Sequence, residues 1–437
     1  MRIRSTLFAL LCCALTHAAP SLAQEPLAPQ ELLDARSKPL EELASRGYLA
    51  SVLNLMDLEP RALESDMLRT FYQDILAGQL AYVGEQLRAT ALGDEAYPRT
   101  QEPVDPDHAN TFIETHRPLP ALQAIIEAAR DRQIVMINEE HRSSMQRAFA
   151  NQLLEPLREL GFTHLAMETL EESADALHAR GYPVLSTGTY TDDPALGDLV
   201  RRAIELGYTL VPYEADAEDM DPRPDDTSPA DAMNRRERGQ AEHIFERTLQ
   251  LDPNARVLVY AGRDHLSEYA GEVWVPMGAV LKEISGIDPL TINQYVMVEH
   301  SKPIFESWQL AFVENAGWLD ATPILLRKEQ GELWSLNPHA IDAYVFHPRT
   351  TLIHSRPSWL AMGGLRKAHI VDIPPHDEPV LLQAMVPGES DDAIPMDQAI
   401  VWPGGPTPGL FLRLGKYTVR VINRDGDILS SETVTIK

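Results

Sequence analysis

The sequence predicts an α/β protein built on a mostly parallel sheet flanked by helices. Short apolar runs recur between long stretches of helical character, which is the pattern of parallel strands joined by crossover helices. From Lys367 onward the helical periodicity is lost, and an Asp425–Gly426 turn between two strand-like runs is typical of a β-hairpin. The predicted architecture is therefore a central α/β domain with a helical N-terminal segment and a small C-terminal β-sandwich-like domain.

The first residues have the features of a targeting segment. Arg2 and Arg4 precede an apolar run over residues 7–15, and a small-x-small cleavage site ends at Ala23. We expect residues 1–23 to be a signal peptide, and the mature chain to be exported to the periplasm or the cell exterior. The apolar run is too short to span a bilayer, so we expect no stable membrane span.

Composition restricts both the chemistry and the partners. The two cysteines, Cys12 and Cys13, lie in the signal segment, so thiol chemistry is excluded from the mature chain and any metal requires histidine and carboxylate ligands. A formal net charge of −27 repels nucleic acid and anionic lipid at long range. We therefore expect a small-molecule or peptide substrate and no nucleic-acid partner, while the oligomeric state is not indicated.

Three regions follow the signal segment. Residues 24–110 form the helical N-terminal segment, which ends in a proline-rich linker over 96–110. Residues 111–350 form the α/β domain, and residues 351–437 form the β-rich C-terminal domain. In the helical segment, apolar residues at helical spacing predict one apolar stripe: Leu63, Met67, Phe71, Ile75, Tyr82 and Leu87.

Helices and strands alternate through the α/β domain. The expected strands cover residues 134–139, 164–168, 209–213, 256–261 and 289–298. The expected helices cover residues 121–130, 145–160, 198–205 and 230–251, with Gly161, Gly207 and Asp252–Pro253 as stop signals.

Four of these strands end on ionisable side chains. Glu139 and His141 follow the first strand, Glu168 the second, Glu214 the third, and His265 the fourth. The active crevice of a parallel sheet lies beyond the carboxyl ends of its strands. We expect these side chains to converge on one polar pocket.

Side-chain alternation divides the residues at the first tip. Glu139 and His141 are two positions apart and share a face, whereas Glu140 points the opposite way. An acid and an imidazole on one face are able to ligate a divalent metal or act as a general acid–base pair. Glu140 is expected to complement the dipole of the following helix.

The other tips leave two interpretations open. Gly262 permits a tight turn that directs His265 toward the crevice, and Asp264 either orients an imidazole or caps the next helix. If Glu168 and Glu214 lie close together, either the pKa of at least one of them is raised or the two carboxylates hold a cation. The alternative is that each of them caps a helix.

Three further residues are candidates for binding substrate. Arg236, Glu237 and Arg263 lie beside the last two tips, and one arginine is positioned to hold a substrate carboxylate or phosphate. A solvated, charged helix face is the competing interpretation of residues 235–238.

On these motifs the chain resembles the Tiki/erythromycin-esterase/ChaN-like superfamily. The resemblance rests on Asn138-Glu139-Glu140-His141, Met167-Glu168, Arg236-Glu237 and Gly262-Arg263-Asp264-His265, and covers residues 118–300. Asn138 stands where the family motif usually has glycine, and is expected to narrow the pocket floor.

The resemblance implies either hydrolysis or haem and iron handling. In the first case Glu139, His141 and His265 activate water directly or through a divalent metal ion. Glu168 and Glu214 complete the set of ligands or act as the base. Arg236 stabilises the oxyanion. In the second, His141, Tyr213 or Tyr260 supplies an axial ligand to haem. A non-catalytic interaction protein, with the C-terminal domain as the adhesive part, is a third hypothesis.

Overall fold

The computed structural model describes residues 27–99, 106–168, 170–216, 223 and 226–437. The predicted signal peptide lies outside the described residues, as does the centre of the predicted linker, residues 100–105.

A six-stranded sheet forms the centre of the α/β domain. Every pairing in it is parallel, and the strand order is β4-β3-β5-β2-β6-β8. Its strands are β2 (Ile134–Glu139), β3 (His164–Met167), β4 (Thr209–Pro212), β5 (Val257–Gly262), β6 (Leu290–Asn293) and β8 (Ala343–Tyr344). The predicted α/β class with a parallel sheet is confirmed.

Helices cover both faces of this sheet, which explains why its strands are apolar throughout. One face packs against α7 (Ala121–Ala129), α8 (Ser144–Glu159) and α10 (Pro194–Glu205), and the short α9 (Ala174–Arg180) lies at its edge. The other packs against α11 (Pro229–Arg247), α12 (Met277–Ser285) and α13 (Trp308–Asn315). Beside the sheet, β1 (His116–Pro120) pairs antiparallel with β7 (Ile324–Lys328).

The C-terminal region is antiparallel. A four-stranded sheet, ordered β13-β12-β15-β16, is accompanied by the pairs β11–β14 and β9–β10. The strands are β9 (Leu352–Ile353), β10 (Arg356–Pro357), β11 (Lys367–His369), β12 (Val380–Met385), β13 (Asp397–Val401), β14 (Leu410–Leu412), β15 (Gly415–Ile422) and β16 (Ile428–Ile436). The predicted C-terminal β domain is confirmed.

The N-terminal helices pack on this C-terminal sheet. They are α1 (Pro29–Leu43), α2 (Tyr48–Asp57), α3 (Glu59–Ala62), α4 (Asp66–Tyr82), α5 (Gln86–Ala96) and α6 (Pro106–Thr115). Leu32 and Tyr48 share one buried cluster with Leu381, Ile400 and Ile422. The two ends of the chain thus form a common core. None of the helices in the described residues is both long and apolar enough to cross a membrane.

Candidate active site

The strand order brings the four predicted tips together. β4, β3, β5 and β2 are consecutive neighbours, and all are parallel, so their carboxyl ends lie along one edge of the sheet. The side chains that follow these strands form two bonded groups, one of Glu139 with His141 and one of Glu168, Glu214 and His265. The two groups meet above Gly262 and make one polar cluster.

Glu139 is the buried anchor of this cluster, with its side chain only 1% exposed. Arg147 of α8 donates to both of its carboxylate oxygens, at 2.7 and 2.8 Å, and the Tyr260 hydroxyl donates at 2.6 Å. Burial alone would raise the pKa of Glu139, but the Arg147 guanidinium and the donors outweigh it and lower the pKa to about 2. Glu139 is therefore a fixed anion at neutral pH.

His141 is held in one orientation by Glu139. Its Nδ1 lies 3.0 Å from Glu139 Oε1, so Nδ1 carries the proton and Nε2 is left as the exposed nitrogen. The ring of Tyr190 stacks on the imidazole at 4.0 Å between centroids with an interplanar angle of 11°. Together these contacts fix both the plane and the tautomer of His141.

Glu168 lies between the two histidines of the cluster. Its Oε2 accepts the Gly262 backbone N–H at 2.5 Å, and its Oε1 lies 3.4 Å from His265 Nε2. A Cβ atom added to Gly262 would stand 2.9 Å from Glu168 Oε2 and 3.0 Å from His141 Nε2, so no other residue fits there without displacing both. Gly262 is the floor of the site.

His265 forms a second histidine–carboxylate pair. Its Nδ1 lies 2.8 Å from Glu237 Oε1, and Glu237 is held in turn by the backbone N–H of Met277 at 2.6 Å. Burial opposes protonation of His265, but Glu168 and Glu237 outweigh it and raise the pKa of the imidazole. The imidazolium form is therefore favoured at this position.

Arg236 joins the third tip to the rest. It donates to both oxygens of Glu214 at 3.0 and 2.7 Å and to Glu168 Oε1 at 2.8 Å. Gln240 donates to the same Glu214 carboxylate at 2.9 Å. Arg236 Nη1 makes only a 3.5 Å contact with His265 Nε2 among the described residues, which leaves donor capacity on the side of the histidines.

Exposure separates the reactive groups from their supports. Glu139 and Glu237 are almost fully buried, whereas the side chains of His141, His265 and Arg236 keep between 17% and 29% of their surface accessible. A substrate thus meets two imidazoles and a guanidinium, while the carboxylates behind them hold their positions.

Two of the predicted residues lie on the other side of the strand tips. Glu140 points away from Glu139, as alternation predicts, and forms an ion pair with Arg263 at 2.8 Å. Asn138 also faces away from the histidines, since its amide donates to the Arg263 carbonyl and accepts from Gln294 N. Asn138 is therefore not the floor of the cluster, and the glycine at the floor is Gly262.

Glu237 has the imidazole-orienting role that the sequence offered as one of two alternatives for Asp264. Glu237, predicted to contact substrate, is buried behind His265, whereas Asp264, predicted to orient an imidazole or to cap the next helix, is exposed.

The predicted metal ligands do not form a metal site in this arrangement. Among the described residues, no group of three or more histidine, cysteine or acidic side chains is arranged to hold a metal ion. Glu139 has both oxygens occupied by Arg147, and Glu168 is held by the Gly262 N–H and Arg236. The donor set therefore fits guanidinium and imidazole partners and not a divalent cation.

The tyrosines considered as haem ligands are internal. Tyr213 and Tyr260 are both buried, and their hydroxyl groups donate to the Tyr260 carbonyl and to Glu139 respectively. Of the three candidates, His141 alone has an accessible side chain.

Two supporting residues were not predicted from the sequence. Arg147 lies inside an amphipathic helix, where a charged residue is ordinarily solvated, and it also pairs with Asp193 at 2.7 Å. Tyr190 lies in an irregular segment without a motif. The one available signal was the position of Arg147, one turn into the helix that follows the first tip.

Comparisons with known proteins give only distant structural matches. No family model and no curated protein matches the chain. A solved structure described as "Bacterial protein toxins" is similar with 16% identity and a TM-score of 0.31, covering 64% of this chain and 58% of the other. The crystal structure of RRSP, a MARTX toxin effector domain from Vibrio vulnificus CMCP6, is similar with 17% identity and a TM-score of 0.29, covering 61% and 55% respectively. The chain spans a little over half the length of these structures.

Proposed function

We propose that this chain is an exported hydrolase that cleaves an ester or peptide bond by general acid–base catalysis at the carboxyl ends of β2, β3 and β5. The observation that carries the proposal is the pair of imidazoles around Glu168. Each has its Nδ1 held by a buried carboxylate, Glu139 or Glu237, and each turns Nε2 toward the site. Two oriented imidazoles in one crevice are the components that a proton-transfer mechanism needs.

His141 has the arrangement of the general base. Because its Nδ1–H is donated to the ionised Glu139, the lone pair of Nε2 is free to accept a proton from a water molecule. The water oxygen then attacks the carbonyl carbon of the substrate, and its proton moves to His141. Glu139 keeps the imidazole in the required tautomer and stabilises the imidazolium that forms, as the acid does in other histidine–carboxylate pairs.

His265 has the arrangement of the general acid. Its raised pKa favours the protonated imidazole, which donates the Nε2 proton to the leaving alcohol or amine as the carbon–oxygen or carbon–nitrogen bond breaks. Different environments thus give two histidines complementary roles. Arg236 Nη1, beside His265, supplies a donor and positive charge for the developing oxyanion.

The experiment measures hydrolysis of p-nitrophenyl esters and of fluorogenic peptide pools by the purified chain and by His141→Gln and His265→Gln variants. We expect each variant to lose about 10²–10⁴-fold in kcat/KM, the usual effect of removing a general acid or base. His376→Gln is the matched control, because His376 lies in the C-terminal region and, within the described part of the chain, its Nδ1 contacts only the nearby Glu378 carbonyl. Unchanged rates in both site variants, or no hydrolysis of either panel, would contradict the proposal.

A further inference from the structure

A cavity of about 370 Å³ lies on the opposite side of the strand tips from the histidines. Its walls come from three regions: Thr90 and Tyr97 of the N-terminal segment, Glu140, Arg263 and His300 of the α/β domain, and Trp359 of the C-terminal domain. The volume is within the roughly 300–1,000 Å³ range of small-molecule sites. Neither His141 nor His265 lines it, so the cavity is separate from the proposed catalytic cluster.

The acidic groups in its walls are already used inside the protein. Glu140 accepts from Arg263 at 2.8 and 3.0 Å and pairs with Arg142 at 3.1 Å. Asp94 accepts from His300 Nδ1 and from the Ser301 N–H, both at 2.6 Å. Glu299, the third acid in the lining, accepts from the Thr350 N–H at 2.8 Å. Each of the three carboxylates is thus already engaged within the protein.

Donor capacity, in contrast, remains. Among the described residues, Arg263 Nη1 and Arg142 Nε have no hydrogen-bond partner, since their other nitrogens make the pairs with Glu140 and Asp74. His300 Nε2 is buried and also has no partner among these residues, but it is an acceptor in the neutral ring, because the ring proton is on Nδ1 and is donated to Asp94. A ligand that offers acceptor oxygens gives the free nitrogens of Arg263 and Arg142 their partners.

Aromatic rings hold the guanidinium groups in place and supply an apolar wall. The Tyr97 ring lies 5.4 Å from Arg142 and 5.9 Å from Arg263, and Arg99 lies 4.9 Å from the Tyr295 ring. Apolar side chains complete the lining: Leu87, Met145, Val298 and Trp359. The cavity therefore combines fixed cationic donors with an apolar interior.

We propose that this cavity binds a small amphipathic monocarboxylate. Its carboxylate accepts from Arg263 Nη1 and Arg142 Nε, the two guanidinium nitrogens that Glu140 and Asp74 leave free. Its apolar body packs against Tyr97, Tyr295 and Val298. This binding does not depend on hydrolysis, although Glu140 and Arg263 directly follow Glu139 and Gly262 in the two neighbouring strand tips.

The test uses isothermal titration of the purified whole chain with decanoate. Decanol and decylamine serve as probes with the same chain length but no charge or the opposite charge. We expect decanoate to bind with a single stoichiometric site and the other two to bind at least tenfold more weakly. Equal binding of decanol and decanoate would overturn the assignment of a carboxylate ligand, as would the absence of decanoate binding.

Two variants locate the site. Arg263→Gln removes one cationic donor, and Thr90→Trp fills the cavity from α5 while leaving the arginines intact; both should weaken decanoate binding at least tenfold. Arg130→Gln is the control, because Arg130 is exposed at the carboxyl end of α7 and its side chain pairs, among the described residues, with Glu127 alone. His265→Gln should bind decanoate normally, which separates this site from the hydrolytic one. Unaltered binding in the Thr90→Trp variant, with thermal unfolding showing that it is folded, would overturn the proposal.

Discussion

In both histidine–glutamate pairs a buried carboxylate holds the imidazole, but the two carboxylates are themselves held by different partners. Glu139, behind His141, is held by the cationic guanidinium of Arg147, whereas Glu237, behind His265, is held by the neutral backbone N–H of Met277. An arginine neutralises most of the charge of its carboxylate in a low-dielectric interior, while a backbone donor leaves that charge in place.

The proposed mechanism rests on this difference when it assigns an acid and a base to the same residue type. His265 faces the unneutralised Glu237 and also Glu168, and its pKa is raised as a result. The pair at His141 is instead a rigid positioning device, with Arg147 below and Tyr190 above. In the proposed mechanism, the residues that hold each imidazole decide whether it acts as the acid or the base.

The largest expected effect comes from removing the cation of the first pair. Arg147→Met leaves Glu139 and Asp193 buried without their partner, and uncompensated buried charges typically cost about 3–5 kcal/mol of unfolding free energy. Urea denaturation of the purified chain measures this loss. The exposed pair of Arg130 with Glu127 provides the control, and Arg130→Met should change stability by less than about 1 kcal/mol. A loss for Arg147→Met as small as this control would show that Arg147 is not the anchor of Glu139.

The second prediction concerns the pH dependence of stability. The pKa of Glu139 falls from 4.5 to about 2 on folding, so the folded state favours the ionised form. This stabilisation is present above pH 4.5 and is lost as the pH falls toward 2, with a total of about 3 kcal/mol. Denaturation between pH 5 and 2 should show a steeper loss for the unmodified chain than for Glu139→Gln. Parallel curves for the two proteins would argue against the ionised buried pair.

The smallest expected effect comes from a change in the second pair, His265 with Glu237. Glu237→Gln keeps the shape of the carboxylate but removes the charge that favours protonated His265, so the pKa of the imidazole should fall. Because His265 acts as an acid, activity declines as the pH rises through that pKa, and the decline should begin at lower pH in the variant. We expect a loss of roughly tenfold in kcat/KM at pH 8 and a smaller loss at pH 6. Glu242→Gln, a half-exposed acid on the same helix, should leave the profile unchanged, and an unshifted limb in Glu237→Gln would remove His265 from the acid role.

Local patterns predicted the strands and the tips well. Four of the five strand predictions fall within a residue or so of β2, β3, β4 and β5, because apolar runs of this length are decided by burial on both faces of a parallel sheet. The fifth, residues 289–298, extends five residues beyond the end of β6 at Asn293. Alternation along the chain also predicted that Glu139 and His141 share a face and that Glu140 does not.

Features that depend on long-range packing were not predictable in the same way. The apolar stripe expected in α4 is displaced by one residue: Met67 is 77% exposed, and the buried face carries Leu68, Tyr72 and Leu76. Adjacent apolar rows on a helix are equivalent until a partner surface selects one of them. The role of Arg147 could not be predicted for a related reason, because Arg147 contacts Glu139 only once α8 has packed across the sheet.

The shared core of the chain ends has a consequence for how this protein is made. Leu32 and Tyr48 complete their burial against Leu381 and Ile422, more than three hundred residues later in the chain. Loop closure over such a separation comes late in folding. During synthesis the first helices therefore leave apolar surface uncovered until the last strands have emerged. Truncation of either the first helices or the last strands therefore uncovers the same core.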